Sequence, residues 1–526
     1  MTSAARRLLP ELAVSAGTFV LLVVRAPTLE HFLVNSDHGY QLAAGAQLLD
    51  GRIPAIDSLH IYGPLVAVLA VATGGASGEL VGEVLACAAA WALTIGLAFR
   101  LARRRFGAIA AWSSAILALL FLARFHKWYV WLIPIAALTC LDRATEDSRW
   151  WWRGGWVCGI GALLRPELGA ASALVLFAFA VVDGARRDAR SPLRARVLPL
   201  LVGFGLPLVV WMTALVVLAG ARAPLRALAV TVESVVGSAR HLTIPPPPFR
   251  PSAPFGKDSS HALALVLLPI VDVAALAAGG RAWRRRAPGL EDAGRCLAAI
   301  GVLGLAVYPH TIHRADLNHF WQGAWPLALA LPGLCALAAR AARRESDARR
   351  AASGRDLALA AGVLVAVCAV PLTRLAVEPH RDLAPLPRAP LAGLTDLVRG
   401  LEALPNDPNA ELVRTLARLS GPDDEILVAA AAPQLPVFAQ RPANGLCVMY
   451  QPGLFDSPAW RREHVAWLER HPPALVVGSE GLADSRFRRS QPEMWETLRA
   501  RYTTVVARIG GLVVLAPAAD PPRAAE

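Results

Sequence analysis

Residues 35–64, NSDHGYQLAAGAQLLDGRIPAIDSLHIYGP, decide how the rest of this sequence is interpreted. This stretch follows the first long apolar segment of the chain, and a second apolar segment follows it. Its polar residues include Asp37, His38, Asp57, His60 and Tyr62, whose side chains can exchange protons or bind a ligand. Ionisable groups between apolar segments predict a polar site at the surface of a membrane.

The chain as a whole is far more apolar than a soluble protein of 526 residues. Hydrophobic residues make up 55% of it, and its mean hydropathy is +0.44. Several runs reach the roughly 20 apolar residues that span a bilayer. The formal net charge of +13 comes mainly from Arg blocks between these runs. Such blocks orient membrane helices, and no nucleic-acid-binding motif accompanies them. We therefore predict a polytopic α-helical membrane protein without a nucleic-acid partner.

The Arg blocks also predict a topology, because positively charged loops stay in the cytoplasm. The segment 61–74 either crosses the bilayer or lies outside it as a juxtamembrane helix, and its short length favours the second alternative. The N-terminus is then inside, the first loop 26–78 is outside, and the C-terminal region is outside. The eleven predicted spans lie near 8–25, 79–99, 107–123, 128–141, 154–165, 167–183, 197–219, 262–280, 295–309, 319–339 and 356–373.

The composition changes after the last predicted span, and residues 376–526 are mixed in charge and rich in proline. Gly510-Gly511 between two apolar runs predicts a tight hairpin. This pattern indicates a small extracytoplasmic α/β domain behind a membrane domain at 1–375. Four strands are predicted at 426–430, 475–478, 503–509 and 512–516, and two helices at 458–470 and 492–502.

The first loop resembles that of a known enzyme family. An Asp after the first span, Leu49-Asp50-Gly51, a further Asp57 and Tyr62-Gly63-Pro64-Leu65 are similar to the first external loop of the GT-C glycosyltransferases. More narrowly, the loop is similar to that of the bacterial relatives of the protein mannosyltransferases and the lipid A aminoarabinose transferases. The resemblance implies a multi-pass enzyme of the bacterial inner membrane. Such an enzyme transfers a sugar from a polyprenyl-phosphate lipid to an extracytoplasmic acceptor.

For the first loop, the resemblance implies a catalytic carboxylate at Asp37. The alternative is a structural role, since Asp is also a favoured N-cap of the helix that follows. Asp57 is the second catalytic candidate, and the alternative there is a turn-forming Asp. His38 and Tyr62 are predicted to bind substrate. Many relatives have an Asp-Glu pair where this chain has Asp37-His38, which leaves acceptor chemistry and metal dependence open.

Release of a lipid phosphate requires cations, and the predicted external loops offer three sets. The first contains Lys127, and the second is the pair Arg165 and Glu167, which can equally form a structural salt bridge. The third set resembles an Arg-x-Asp-x-x-His signature of bacterial GT-C proteins. In it, Arg314 is expected to bind the phosphate, Asp316 to orient Arg314 and His319 to face the site. A structural ion-pair cluster is the alternative for this set.

Two questions stay open at this stage. His310 and His313 raise the alternative of a zinc site, although their spacing fits no standard zinc pattern. No cofactor is certain, and a divalent metal is not excluded. The predicted activity is transfer of a monosaccharide, with inversion, from a polyprenyl phosphate to a glycan, lipid or protein. The alternatives are a membrane transporter and a non-catalytic protein that binds polyprenyl lipid.

Overall fold

The structure is a computed structural model of the whole chain. It describes residues 3–185, 193–241, 244–253, 256–286, 289–344, 361–369, 371–373, 375, 383, 391–452, 454–479 and 486–518. The predicted Arg blocks at 186–196 and 340–355, and the predicted span 356–373, lie partly outside these residues.

Helices dominate the first 344 residues, as expected for a polytopic membrane protein. Their bounds are α1 Ser3–Val24, α2 Leu29–Val34, α3 Ser36–Leu49, α4 Leu65–Ala72, α5 Leu80–Arg105, α6 Ala108–Leu120, α7 Tyr129–Arg143, α8 Arg149–Leu164, α9 Pro166–Ala185, α10 Arg194–Ala219, α11 Ala223–His241, α12 Lys257–Arg284, α13 Glu291–His313, α14 Leu317–Gly323 and α15 Trp325–Arg344.

Six of the described helices are long and apolar enough to cross a bilayer: α5, α9, α10, α12, α13 and α15. Shorter apolar helices occupy Leu8–Val24, Ala108–Leu120 and Ala361–Thr373. The eight residues of α4 extend only about 12 Å, which agrees with the predicted juxtamembrane helix. One predicted span is corrected. The run 319–339 is broken at Ala324, so α14 ends there and the long helix begins at Trp325.

The chain divides into two compact units, and each is described by itself. Unit 1 comprises residues 1–22, 87–210 and 243–383. Its centre is the closely packed pair α12 and α13, where glycines let the backbones approach. A Cβ added at Gly301 would lie 2.4 Å from the carbonyl oxygen of Asp272. One polar anchor of this unit is Arg295, whose guanidinium contacts Asp183 and donates to the Leu141 carbonyl at 3.0 Å.

Unit 2 comprises residues 23–86, 211–242 and 384–526. Its sheet has the order β1-β2-β4-β3, with β1 Ile426–Val428, β2 Leu475–Ser479, β3 Thr504–Ile509 and β4 Leu512–Ala516. β1 and β2 are parallel and the other pairs antiparallel. Positive φ at Gly510 (59°) and Gly511 (76°) forms the predicted hairpin between β3 and β4. The two predicted helices are present as Pro458–Arg470 and Pro492–Arg501. The predicted division into 1–375 and 376–526 stays a prediction.

Within unit 2, the C-terminal region packs directly on the first loop. The buried Arg52 donates to the Gly445 carbonyl at 3.0 Å and to the Glu425 carboxylate at 2.7 Å. Its guanidinium also lies over the Trp467 ring, 5.0 Å from the centroid. The backbone N–H of Leu59 donates to the Leu446 carbonyl at 2.7 Å. The loop is therefore held by the C-terminal sheet region through both charge and backbone hydrogen bonds.

Replacing Arg52 tests how strongly this contact holds unit 2 together. Arg52→Ala leaves the partly buried Glu425 without its cation, and we expect a loss of about 3 kcal/mol of stability. The apparent melting temperature and the rate of proteolysis after residue 383 measure this loss. Arg418→Ala is the matched control, because the Arg418 side chain is 71% exposed and an ion pair in solvent, such as its pair with Glu411, contributes little to stability. Equal behaviour of the two variants would contradict the anchoring role of Arg52.

Candidate functional site

Asp37 lies in the first turn of α3, in unit 2. The N-cap of this helix is Asn35, whose side-chain oxygen accepts from the backbone N–H of His38 at 3.1 Å. The capping alternative therefore applies to Asn35, and Asp37 is the second residue inside the helix. The Asp37 side chain is half-buried. Its predicted role as a base stays a prediction.

His38 is fully buried beside Asp37 and contacts an acid that the sequence analysis did not select. Its Nε2 lies 3.0 Å from Glu83 Oε1. The other Glu83 oxygen accepts from the Thr73 hydroxyl at 2.5 Å. Glu83 therefore places a carboxylate at the His38 imidazole, next to Asp37 in the sequence. The available signal was Glu83 itself, an ionisable residue at the start of a predicted span.

The second half of the first loop forms compact turns. Asp57 Oδ2 accepts from the backbone N–H of Ile53 at 3.0 Å, which is the geometry of a turn-forming Asp. The ring of the half-buried Tyr62 packs edge to face on Tyr40, with centroids 5.4 Å apart. His60 is buried, and burial lowers its pKa to about 4, so it is neutral at neutral pH. The catalytic role of Asp57 stays a prediction.

In unit 1, the corner between α8 and α9 brings Arg165 and Glu167 together. Arg165 ends α8 in an extended conformation, and its Nε donates to Glu167 Oε1 at 2.7 Å. Glu167 Oε1 also lies 3.7 Å from Nδ1 of His310, on α13. The pair is therefore a salt bridge, and it extends to a third group.

The predicted Arg314, Asp316 and His319 set forms the start of α14. Asp316 is its N-cap and accepts from the His319 backbone N–H at 3.1 Å and from His319 Nδ1 at 2.8 Å. Arg314 Nε lies 3.9 Å from Asp316 Oδ2. A backbone bridge to Ile244 fixes Arg314, since Ala315 donates to the Ile244 carbonyl at 3.0 Å.

These two sets belong to one polar network within unit 1. His310 Nε2 lies 3.4 Å from Oε1 of the buried Gln322, and the His310 and His319 rings are 5.7 Å apart. The buried Lys127 interacts electrostatically with His319. The structure thus brings members of all three predicted cation sets together. We name this network the His319 cluster; it comprises Lys127, Arg165, Glu167, His310, Arg314, Asp316, His319 and Gln322.

The Asp316–His319 pair has a defined protonation state. Burial opposes ionisation of Asp316, but the hydrogen bonds from His319 and the nearby Arg314 charge outweigh it and lower the Asp316 pKa to about 2. Burial lowers the pKa of His319 to about 4, although the Asp316 hydrogen bond opposes this shift. At neutral pH, a neutral imidazole therefore donates Nδ1–H to a carboxylate, which leaves Nε2 as the acceptor nitrogen.

The charge of the His319 cluster suits an anionic ligand. Three cations, Lys127, Arg165 and Arg314, stand against two carboxylates. In the pair of Arg314 and Asp316, the Arg314 side chain is the more exposed of the two, at 31%. A guanidinium binds phosphate oxygens in a bidentate manner. The arrangement can therefore hold a phosphate group while His319 presents a neutral acceptor.

The zinc alternative finds no support in the geometry. Within the part of the chain that the structure describes, His310 and His313 belong to no group of three His, Cys, Asp or Glu ligands close enough to share an ion. Both histidines instead have other contacts, since His313 Nδ1 lies 3.4 Å from the His310 carbonyl. A divalent metal elsewhere in the protein stays an open question.

Comparison with known proteins identifies the fold. No family model matches the chain, and no curated protein matches it. Among solved structures, ArnT from Cupriavidus metallidurans bound to undecaprenyl phosphate is 19% identical, with a TM-score of 0.51 over 98% of this chain and 99% of that chain. ArnT from Cupriavidus metallidurans in the apo state is 17% identical, with a TM-score of 0.52 over 98% of both chains.

The chain has the ArnT fold. The predicted fold class, a polytopic helical membrane protein with a small C-terminal sheet, is therefore confirmed. The likeness to ArnT extends over nearly the whole of both chains, so it includes both units. At this level of identity, ArnT shows the fold and does not assign the residues of the site.

The buried His319 predicts a pH-dependent stability. Its pKa falls from 6.5 to about 4 on folding, so the unfolded state binds the proton more readily. The stability contribution is complete above pH 6.5 and is lost progressively as the pH falls toward 4. At pH 5.5 the loss is about 1 kcal/mol.

His319→Gln removes this titration, and its apparent melting temperature should fall less between pH 7.5 and 5.5 than that of the wild type. Thermal unfolding in detergent, followed by Trp fluorescence, measures the difference. His471→Gln changes an exposed histidine and is the matched control, with the wild-type pH dependence expected. If the melting temperature of His319→Gln depends on pH as strongly as that of the wild type, then His319 is not a buried neutral imidazole in the folded protein.

Proposed function

We propose that the protein is a membrane glycosyltransferase that moves a monosaccharide from a polyprenyl phosphate to an extracytoplasmic acceptor. The observation that carries this proposal is the His319 cluster, in which Lys127 and Arg314 act on a neutral histidine and Arg165 is linked to it through Glu167 and His310. Ionisable groups among membrane helices are costly unless they are paired, and they commonly mark a binding site. A lipid phosphate at the membrane surface is a ligand of matching charge.

The shared fold supports the same class of activity. ArnT is a GT-C glycosyltransferase for lipid-linked sugars, and one of its structures has undecaprenyl phosphate bound. The likeness extends over almost all of both chains, which supports a shared fold. We infer a donor of the same chemical class, a sugar linked to a polyprenyl phosphate.

The reaction requires a general base and positive charge from the protein. A hydroxyl or amine of the acceptor attacks C1 of the sugar, the bond from C1 to the phosphate oxygen breaks, and the polyprenyl phosphate leaves with the electron pair. The acceptor loses one proton, which a carboxylate takes up as a general base. Cations stabilise the charge that develops on the leaving phosphate. Direct attack from the opposite face inverts the configuration at C1.

We assign the phosphate to the His319 cluster. Arg314 is the phosphate ligand, because its guanidinium is partly exposed and Asp316 orients it from 3.9 Å. Arg165 is held by Glu167 and contributes fixed positive charge with the buried Lys127. His319 accepts a hydrogen bond through Nε2 from a polar group of the substrate.

We assign the proton to Asp37 in the first loop. Asn35 takes the capping role, so the Asp37 carboxylate is not required for the helix start. His38 and Tyr62 are proposed to bind the acceptor or the sugar. The site of reaction is proposed to face the extracytoplasmic side, because the Arg blocks place the first loop there.

Sugar transfer by the purified protein tests this proposal. The protein in liposomes receives a panel of radiolabelled polyprenyl-phosphate monosaccharides together with cell-envelope acceptors. We expect transfer by the wild type, and a loss of at least 100-fold in Asp37→Asn, because removal of a general base typically costs 10²–10⁴-fold. Asp423→Asn, at an exposed position of the C-terminal region, is the matched control and should keep full activity.

Three outcomes separate the alternatives. Transfer that persists in Asp37→Asn removes Asp37 from the base role and directs attention to Asp57 or His319. Binding of the lipid without transfer from any donor would favour a non-catalytic lipid-binding protein. Movement of the intact lipid-linked sugar across the bilayer would favour a transporter.

Arg314→Ala tests the phosphate assignment. We expect KM for the lipid donor to rise at least 10-fold, because one charge-assisted contact to phosphate contributes about 1.5–3 kcal/mol. Arg314→Lys should recover only part of this loss, since a lysine does not form the bidentate contact. Arg418→Ala, on the exposed surface of the C-terminal region, should leave KM unchanged. Wild-type KM in Arg314→Ala would assign the phosphate to other residues.

A further inference from the structure

The helix α11, Ala223–His241, has an apolar outer face. Among its side chains that the structure describes, Leu225 is 71% exposed, Leu228 53% and Val232 52%. These positions follow the spacing of one helix face, and at 100° per residue the exposed apolar stripe is roughly 120° wide. We name it the α11 stripe; it consists of Leu225, Leu228, Ala229, Val232, Val235 and Val236. The face of a surface helix that contacts water is normally polar, whereas the exposed face of α11 is apolar.

The opposite face of α11 is occupied by unit 2 itself. Ala223, Ala227 and Val230 belong to the buried core of this unit, together with residues of the first loop and the C-terminal region. The Ser234 hydroxyl donates to the Ile61 carbonyl at 2.9 Å, and Arg226 Nε donates to the Ile56 carbonyl at 3.1 Å. The polar contacts of α11 therefore point toward the protein, and its apolar stripe points away from it.

The α11 stripe continues the surface of a membrane helix. α10 is the most apolar and the least buried of the six long apolar helices, as expected for a helix surrounded by lipid. Near its end at Ala219, Val216 is 42%, Val217 78% and Leu218 64% exposed. Only residues 220–222 separate α10 from α11. The exposed apolar surface at the end of α10 therefore continues to the start of α11.

We propose that α11 lies in the membrane interface, with the α11 stripe in contact with lipid acyl chains. The stripe and the polar inner contacts match the two sides of an interfacial amphipathic helix. Arg222, exposed at the start of α11, then stands at the level of the lipid phosphates.

This contact positions the first loop. α11 holds the carbonyls of Ile56 and Ile61 from one side, and the C-terminal region holds Leu59. An α11 fixed in the interface therefore holds residues 53–61 at the depth of the lipid headgroups. The positioning of the first loop rests on the proposed function, in which the donor's phosphate lies at the depth of the headgroups. The contact between the α11 stripe and lipid does not rest on the proposed function.

Spin labels measure the contact directly. Single cysteines replace Leu228 and Val232 in a Cys335→Ser background, since the other six native cysteines are buried. In liposomes we expect the label at both positions to be accessible to oxygen and protected from a water-soluble nickel reagent. The control position is Arg418→Cys on the exposed surface of the C-terminal region, where the opposite accessibility is expected.

Two results would overturn the proposal. Nickel accessibility at 228 and 232 equal to that at 418 would place the α11 stripe in water. Protection from both reagents, with spin–spin coupling between chains, would assign the stripe to a second copy of the protein. The two labelled positions guard against a local folding defect, and neither result depends on whether the protein transfers sugars.

The consequence for the first loop has its own test. In Val232→Glu, the charge weakens the lipid contact, and we expect KM for the polyprenyl-phosphate donor to rise about fivefold while kcat changes little. Val232→Leu keeps the apolar face and should keep the wild-type KM. If the spin labels report lipid and KM is unchanged, the membrane contact stands and its role in positioning the loop is wrong.

Discussion

Charged groups among membrane helices cost free energy unless they are paired, and this constraint organises the His319 cluster. Glu167 pairs with Arg165, and Asp316 pairs with both His319 and Arg314. The pairing fixes the protonation state of His319 and orients Arg165 and Arg314. Cations exceed carboxylates in the cluster, and the remaining positive charge is the property that a phosphate ligand would neutralise. The stability of the cluster and its proposed function therefore have the same physical origin.

Unit 2 obeys a related constraint at the first loop. The loop carries several polar side chains, while its Ala55 and Leu59 belong to the apolar core of unit 2. Hydrogen bonds to its backbone carbonyls and from Arg52 add to this packing. The C-terminal region supplies Gly445 and Glu425, and α11 supplies Arg226 and Ser234. A region that sequence composition presents as a separate domain thus contributes directly to the structure of the loop. On our proposal, the interfacial position of α11 connects this assembly to the bilayer.

Much of the fold could be predicted from local patterns. The four strands, the Gly510-Gly511 hairpin and the two flanking helices of the C-terminal region follow from apolar runs and turn residues. Long apolar runs predicted the membrane helices, but the break at Ala324 was missed because apolar composition continues through it. Hydropathy averages do not detect a helix boundary within an apolar run.

The candidate site was predictable in its residue types and less so in its partners. Arg165 was selected because ionisable residues within apolar runs are rare, and Arg314, Asp316 and His319 were selected by their resemblance to a GT-C signature. Glu83 and Gln322 enter through their contacts with His38 and His310, which no local pattern marks. The outward direction of the α11 stripe likewise depends on which face the first loop and the C-terminal region cover.

The central claim is that the protein breaks the bond between a sugar and a polyprenyl phosphate. Phosphorus-31 NMR of the donor lipid, incubated with the protein and cell-envelope acceptors, tests it most directly. The account predicts one free polyprenyl phosphate for each sugar that reaches an acceptor, and none with Asp37→Asn. A donor phosphodiester that stays intact with every sugar in the panel, while the lipid remains bound, would contradict it.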